Sequence, residues 1–312
     1  MAQDLRIAAP PFDDTAGDVI IQSSDNVSFY VHKTVIYLAS PVFADTLMLA
    51  SPTPSEKLGK FRRPHLPVAE DSKTLYRLLS WCDPRCAPSL ESKEDVLAVL
   101  EVADKYCMDQ VMKHAADILL MSTSYVQREP MKVFAVATRY HWVDLAKMAA
   151  RYTLNFTWEE QMDRDTPELK HISAVALRRL ETYQLACKRL VIGAVTNLSW
   201  FNDHALARTM GSKTQGTRKM VWKPWFLQHV QSMKEELYLR PSPIILPKFI
   251  VSAAGSAYAC SYEGSANFKL DDLAKFNNVL KAEIDRIVSQ LAKLPFTLCI
   301  ALRLTLLAEM IA

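Results

Sequence analysis

The stretch "VSFYVHKTVIYLASPVFADTL", residues 27–47, places an imidazole beside an ammonium group, His32 and Lys33. A histidine can serve as acid, base or metal ligand near neutral pH, but only with partners held around it. Cys82 and Cys86 stand four apart in "CDPRCAP". A structural zinc site needs four ligands, as a rule from two close pairs, and no second Cys or His pair follows at a suitable spacing. His114, His141 and His171 are scattered along helical stretches, and there is no Gly-x-Ser-x-Gly, His-Glu-x-x-His or phosphate-loop motif. Only seven glycines occur, with none between Gly59 and Gly193. Loops that cradle phosphates need glycine so that backbone can approach the ligand, which argues against a nucleotide-binding first half. The expectation is a chain with no catalytic residues, no metal and no cofactor.

The densest local charge lies in "RTMGSKTQGTRKMVWKPWF", residues 208–226. It carries Arg208, Lys213, Arg218, Lys219 and Lys223, with no acidic residue between Asp203 and Glu235, and Trp222, Trp225 and Phe226 beside them. Basic residues next to aromatics can grip single-stranded nucleic acid by phosphate pairing and stacking, or hold an anionic membrane surface. The alternative is a solvated loop leading into a helix whose aromatics pack inward. The whole chain favours that alternative, because 37 basic and 34 acidic side chains leave a net charge of only +3 over 312 residues. Nucleic acid and membrane are therefore not the expected partners, unless the apolar tail 294–312 anchors the chain.

The elements that must position these groups are legible by period. "DVIIQ" (18–22) is β-rich, "SSDN" (23–26) is a turn cluster, and "VSFYV" (27–31) alternates, which predicts a hairpin. From Thr34 the spacing becomes helical, stops at Ser40-Pro41, and restarts with "PVFADTLMLA", since serine before proline caps a new helix. "PHLPV" (64–68) reads as a short strand whose two prolines confine it to a sheet edge. Asp71 caps a helix carrying Leu75, Leu78, Leu79 and Trp81, and Ser92 with Asp95 forms a capping pair ahead of two helices that break near Met108-Asp109. Residues 1–17 read as an irregular lead-in containing Pro10 and Pro11. Residues 130–201 read as nearly continuous helix, 202–265 as less regular, and 270–290 as an amphipathic helix. The tail "LPFTLCIALRLTLLAEMIA" fits a buried or interfacial helix, a tail anchor, or a chain end that is not authentic; Arg303 near its middle opposes a membrane span.

With "DV", "VHK" and "ASPVFADTL" in this order of elements, residues 18–125 resemble a BTB/POZ domain. The resemblance rests on Asp18 and Val19 opening the first strand, His32 and Lys33 ending the second, Ser40 ahead of Phe43 on the next helix, and Ala103, Asp104, Tyr106 and Cys107 in the later helix pair. It implies an α+β fold, a small sheet flanked by helices, followed here by a mainly α-helical region over 126–293 similar in texture to the extensions of fungal BTB proteins. It also implies structural roles for the signature residues. His32 is expected to satisfy backbone groups at the strand–helix joint, and Asp18 to form a local hydrogen bond.

The function implied is non-enzymatic protein binding by an intracellular oligomerisation or adaptor module, in the cytoplasm, the nucleus or both. The partner would be a second copy or another protein. Two alternatives stand beside it: a nucleic-acid-associated regulator using 208–226, and a cullin ubiquitin-ligase adaptor using the apolar-x-acid element Val68-Ala69-Glu70. Pro10 and Pro11 sit where the exchanged N-terminal helix of some family dimers would lie, which disfavours that mode of dimerisation.

Overall fold

The computed structural model describes residues 6–49, 63–86, 93–164, 166–214, 220–249 and 270–293. It divides into two compact units, Met1–Tyr125 and Val126–Ala312. The expected Ser92 cap, Arg218, Lys219 and the tail 294–312 lie outside the described residues.

The first unit runs β1 (Arg6–Ile7), β2 (Val19–Gln22), β3 (Val27–Val31), α1 (Lys33–Ala39), α2 (Pro41–Leu49), β4 (His65–Pro67), α3 (Ser72–Cys82), α4 (Lys93–Lys105) and α5 (Asp109–Met121). The sheet order is β1-β3-β2-β4. β2 and β3 form the expected antiparallel hairpin, with Ile21 opposite Phe29. Ser23 closes the turn: its Oγ accepts from Val27 N at 3.0 Å, and Asn26 takes φ 63 there. β4 pairs parallel with β2 at the sheet edge, Leu66 opposite Ile21, so Pro67 within it and Pro64 just before it remove no donor that a central strand would need.

The lead-in is not irregular throughout. Arg6 and Ile7 pair parallel with Val27 and Ser28, and Phe12, 1 % exposed, enters the core. Its ring meets Phe29 at 5.9 Å and Tyr76 at 5.3 Å. Asp18 and Val19 therefore open the second strand, and His32 follows the third. Gly17 permits the close pass, since a Cβ there would lie 2.7 Å from the amide nitrogen of Val31.

α3 buries Leu75, Leu78 and Leu79 and is capped by Asp71, whose carboxylate accepts from the amides of Lys73 and Thr74. Asp25 reinforces the same end by accepting from Ser72 N and Ser72 Oγ at 2.8 and 2.7 Å. The Ser72 hydroxyl bond is the main cause that lowers the Asp25 carboxyl to about 2.

The division falls inside α6 (Thr123–Arg128). The second unit continues through α7 (Pro130–Arg139), α8 (Val143–Thr153), α9 (Trp158–Met162), α10 (Ala174–Thr196), α11 (Ala207–Met210), β5 (Gly211–Lys213), β6 (Met220–Trp222), α12 (Pro224–Leu239) and α13 (Leu270–Lys293). Thr157 and Glu160 form a reciprocal capping box on α9, and Ser173 caps α10. Where the sequence reads as less regular, β5 and β6 form an antiparallel hairpin and α12 runs for 16 residues. α10 packs against α12 and α13. Leu180, Tyr183, Val191, Phe226, Met233, Phe276 and Leu280 are among the residues that fill the core of this unit.

Candidate protein-interaction surface

The signature residues converge on the strand–helix joint and the corner after it. Asp18 Oδ1 accepts from the Lys33 amide at 2.5 Å, meeting one of the orphan donors at the start of α1. The imidazole of His32 makes no capping bond to this helix; the capping acceptor at the joint is the Asp18 carboxylate. A carboxylate arriving from the neighbouring strand is the better acceptor for an amide at a helix N-terminus. Lys33 is exposed, while Val19 is wholly buried.

Ser40, also wholly buried, links two distant parts of the unit. Its hydroxyl donates to the Tyr106 carbonyl at 2.6 Å and accepts from the Phe43 amide at 3.1 Å. Phe43 then stacks on the Tyr106 ring, centroids 4.4 Å apart and planes 13° from parallel. The Tyr106 hydroxyl donates to Glu70 Oε2 at 2.6 Å, and Lys105 Nζ to Glu70 Oε1 at 2.5 Å. Burial opposes ionisation of Glu70, but the bonds from Lys105 and Tyr106 outweigh it and hold the carboxyl below its ordinary range. Burial first, and then the Glu70 bond, push the Tyr106 phenol upward. The Glu70 side chain is 8 % exposed; the acid of the Val68-Ala69-Glu70 element is engaged inside its own domain.

What this frame leaves outside is apolar. α1 buries Ile36 and exposes Tyr37 and Leu38, the latter 78 % exposed. α2 directs Phe43, Ala44 and Leu47 into the core and leaves Val42, Met48 and Leu49 out. Asp45 and Thr46 are the polar residues exposed on α2, so apolar side chains make up most of its outer face as well as its inner one. No charged residue lies between Lys33 and Asp45, so the corner Tyr37–Val42 is an uncharged, outward-facing patch of the kind that marks a contact surface. Sequence reasoning missed it because apolar residues on both faces of a short helix look like core; the signal was that Asp45 and Thr46 are the only polar residues of "PVFADTLMLA", too few to fill a solvent face.

The basic-aromatic stretch is built differently. Trp222 packs its ring on Phe201 and Phe226, centroids 5.8 and 5.2 Å away, and Trp225 meets Phe226 at 5.9 Å. Lys213 faces Asp203 at 3.4 Å, Lys223 Nζ donates to the Thr209 carbonyl at 2.7 Å, and Arg208 is exposed. Trp222 and Trp225 are half-buried, each resting against the buried ring of Phe226, which leaves only part of either ring open to a base.

Among the described residues no group of three His, Cys, Asp or Glu could hold a metal ion. No described helix is long and apolar enough to cross a membrane. Burial lifts the Cys82 thiol to about 12, far from a reactive thiolate.

None of the curated proteins matches the chain. Residues 13–123 match the family model of the BTB/POZ domain, a span that starts just after Phe12 and runs through the whole of α5. The chain thus carries a BTB/POZ domain, a protein–protein interaction module, followed by a helical region.

Proposed function

We propose that this is a non-enzymatic, intracellular protein-binding protein whose BTB/POZ domain associates with a second copy of itself through the corner of α1 and α2. The observation behind the reading is the exposure of Tyr37, Leu38 and Val42 around Ser40-Pro41. A two-fold interface brings the same patch of each copy together, and an uncharged patch does so without like-charge repulsion. Fully burying each aliphatic side chain contributes roughly 1.5–3 kcal/mol, so a few of them suffice to outweigh part of the entropy lost on association.

The adaptor reading, with a cullin as partner, has to work around Glu70, whose carboxylate is already bound to Lys105 and Tyr106. The nucleic-acid reading has to work without Trp222, which packs on Phe201. The solution mass of the full chain across concentration tests the proposal. We expect a dimer that Leu38→Asp with Val42→Asp converts to monomer while the circular dichroism is unchanged. A monomer at every concentration removes self-association, and a cullin pull-down that succeeds with the wild-type chain then replaces it.

A further inference from the structure

We propose that a cleft in the second unit docks an acidic, apolar-faced segment of a partner protein. The cleft has a volume of about 820 Å³ and is walled by α8, α13 and the segment around Pro243–Ile245. Its lining includes Leu154, Leu246 and Val288, each buried, and Ile244, which is 60 % exposed. An aliphatic side chain so exposed beside an apolar recess adds to the surface a partner could cover.

The charge on this cleft is one-sided. Asp285 is the acidic side chain among its described lining residues, and Arg151 Nη2 neutralises it at 2.7 Å. Arg151 Nη1 donates to Ser289 Oγ at 3.3 Å. Lys147 on α8 and Lys281 on α13 also line the cleft, both exposed, and neither has an ion pair or hydrogen bond among the described residues. Two ammonium groups on two walls, without a partner among the described residues, call for carboxylates at the edges of the occupant.

The polar chemistry of the cleft separates a macromolecular occupant from a small one. Asn277 Nδ2 donates to the Leu246 carbonyl at 3.1 Å while its Oδ1 meets His229 Nε2 at 3.3 Å. Ser242 Oγ donates to Asn155 Oδ1 at 2.5 Å. These groups are bonded to one another, whereas a small-ligand site presents a few directed polar groups that fix orientation. Pro241, Pro243 and Pro247 lack amide donors, so this wall is poorly suited to adding a strand. Gln127, Tyr152 and Asn278 are the remaining polar side chains of the lining, none of them buried, and an apolar recess with a polar, basic rim fits a helix laid into a groove. This inference concerns the second unit alone and does not depend on self-association through α1 and α2.

The test uses the full chain and three fluorescein-labelled amphipathic helical peptides sharing one leucine face, with glutamate, glutamine or lysine along the flanks. Fluorescence anisotropy at low and moderate salt reads the affinities. The glutamate peptide is expected to bind at least tenfold tighter than the lysine peptide. Lys147→Glu with Lys281→Glu should reverse that order, and Ile244→Asp should weaken the glutamate peptide about tenfold. All three positions are exposed, so circular dichroism should be unchanged. The proposal is overturned if the glutamate peptide fails to bind, if the three peptides bind alike, or if charge reversal leaves their order intact. It is also overturned if a twenty-residue oligothymidine competes through the same lysines while Ile244→Asp has no effect, since the surface would then be a general polyanion contact.

Discussion

The hydroxyl of Ser40 and the backbone carbonyl of Tyr106, 66 residues apart in the chain, are joined by a 2.6 Å hydrogen bond in the buried core of the BTB/POZ domain. The same hydroxyl accepts from Phe43 N. Removing it orphans a buried acceptor and an amide at the start of α2 together. Ser40→Ala is therefore expected to destabilise the domain by about 2–4 kcal/mol. Urea unfolding would read this as a fall in midpoint with little change in slope. A loss below about 0.5 kcal/mol would show that the bond contributes little.

Glu70 makes the same region sensitive to acid. Its folded carboxyl lies below the ordinary value of 4.5, so the folded state favours the ionised form. The stability it contributes is complete above that value and is lost as pH falls through the folded value. Glu70→Gln should lower stability at pH 7 by about 1 kcal/mol or more, because Lys105 loses its ion pair and Tyr106 its charged acceptor. It should also flatten the decline in stability below pH 4.5. Unfolding curves across pH check both, and an unchanged acid limb refutes the assignment.

His229 gives the second unit its own acid response, by the opposite chemistry. Burial lowers its imidazole from 6.5, only partly offset by the Asn277 bond, so the fold favours the neutral ring. The unfolded chain then takes up the proton first, and stability falls as pH drops below 6.5 until the folded value is passed. His229→Gln keeps a partner for Asn277 and should remove this slope between pH 6.5 and the carboxylate range. If the slope persists in the variant, another group causes it.

Local order in the first unit was readable because its signals are local. Alternation marks β3, the Ser40-Pro41 step separates α1 from α2, and Asp71 announces α3. β1 was not readable: two residues carry no period, and Arg6 and Ile7 form a strand only because β3 lies alongside. His32 drew attention by residue type, yet the joint is held by Asp18, fifteen residues away in sequence. In the second unit β5 and β6 are three residues each and likewise exist through pairing. The cleft bearing Lys147 and Lys281 assembles from segments well over a hundred residues apart, a distance that no motif spans.

The 208–226 stretch gives a discriminating pair of substitutions. Trp222 packs on Phe201 and Phe226, so Trp222→Ala should cost the second unit about 2–4 kcal/mol. Lys213→Glu, at an exposed side chain facing Asp203, should stay within about 0.5–1 kcal/mol. Thermal unfolding measures both. A Trp222→Ala variant of full stability that loses affinity for single-stranded oligonucleotide would restore the stacking reading.

Two helix ends in this glycine-poor chain are closed by residues that resist the required backbone. After α4, Cys107 N donates to the Asp104 carbonyl at 3.0 Å and Met108 N to the Ala103 carbonyl at 2.8 Å. After α7, His141 N donates to the Thr138 carbonyl at 3.4 Å and Trp142 N to the Ala137 carbonyl at 2.8 Å. Both are paired 5→2 and 6→1 closures, whose penultimate residue must be left-handed and is usually glycine. Here Cys107 has φ 52 and His141 φ 60. An L side chain in that region costs roughly 1–2 kcal/mol, and glycine returns part of this through greater freedom in the unfolded chain. Cys107→Gly and His141→Gly should therefore each stabilise their own unit by about 0.5–1 kcal/mol, and additively, since the sites lie in separate units. Cys107 and His141 are both exposed, so no core packing is lost. A decrease in stability for either variant would mean that its side chain makes a contact worth more than the strain it imposes.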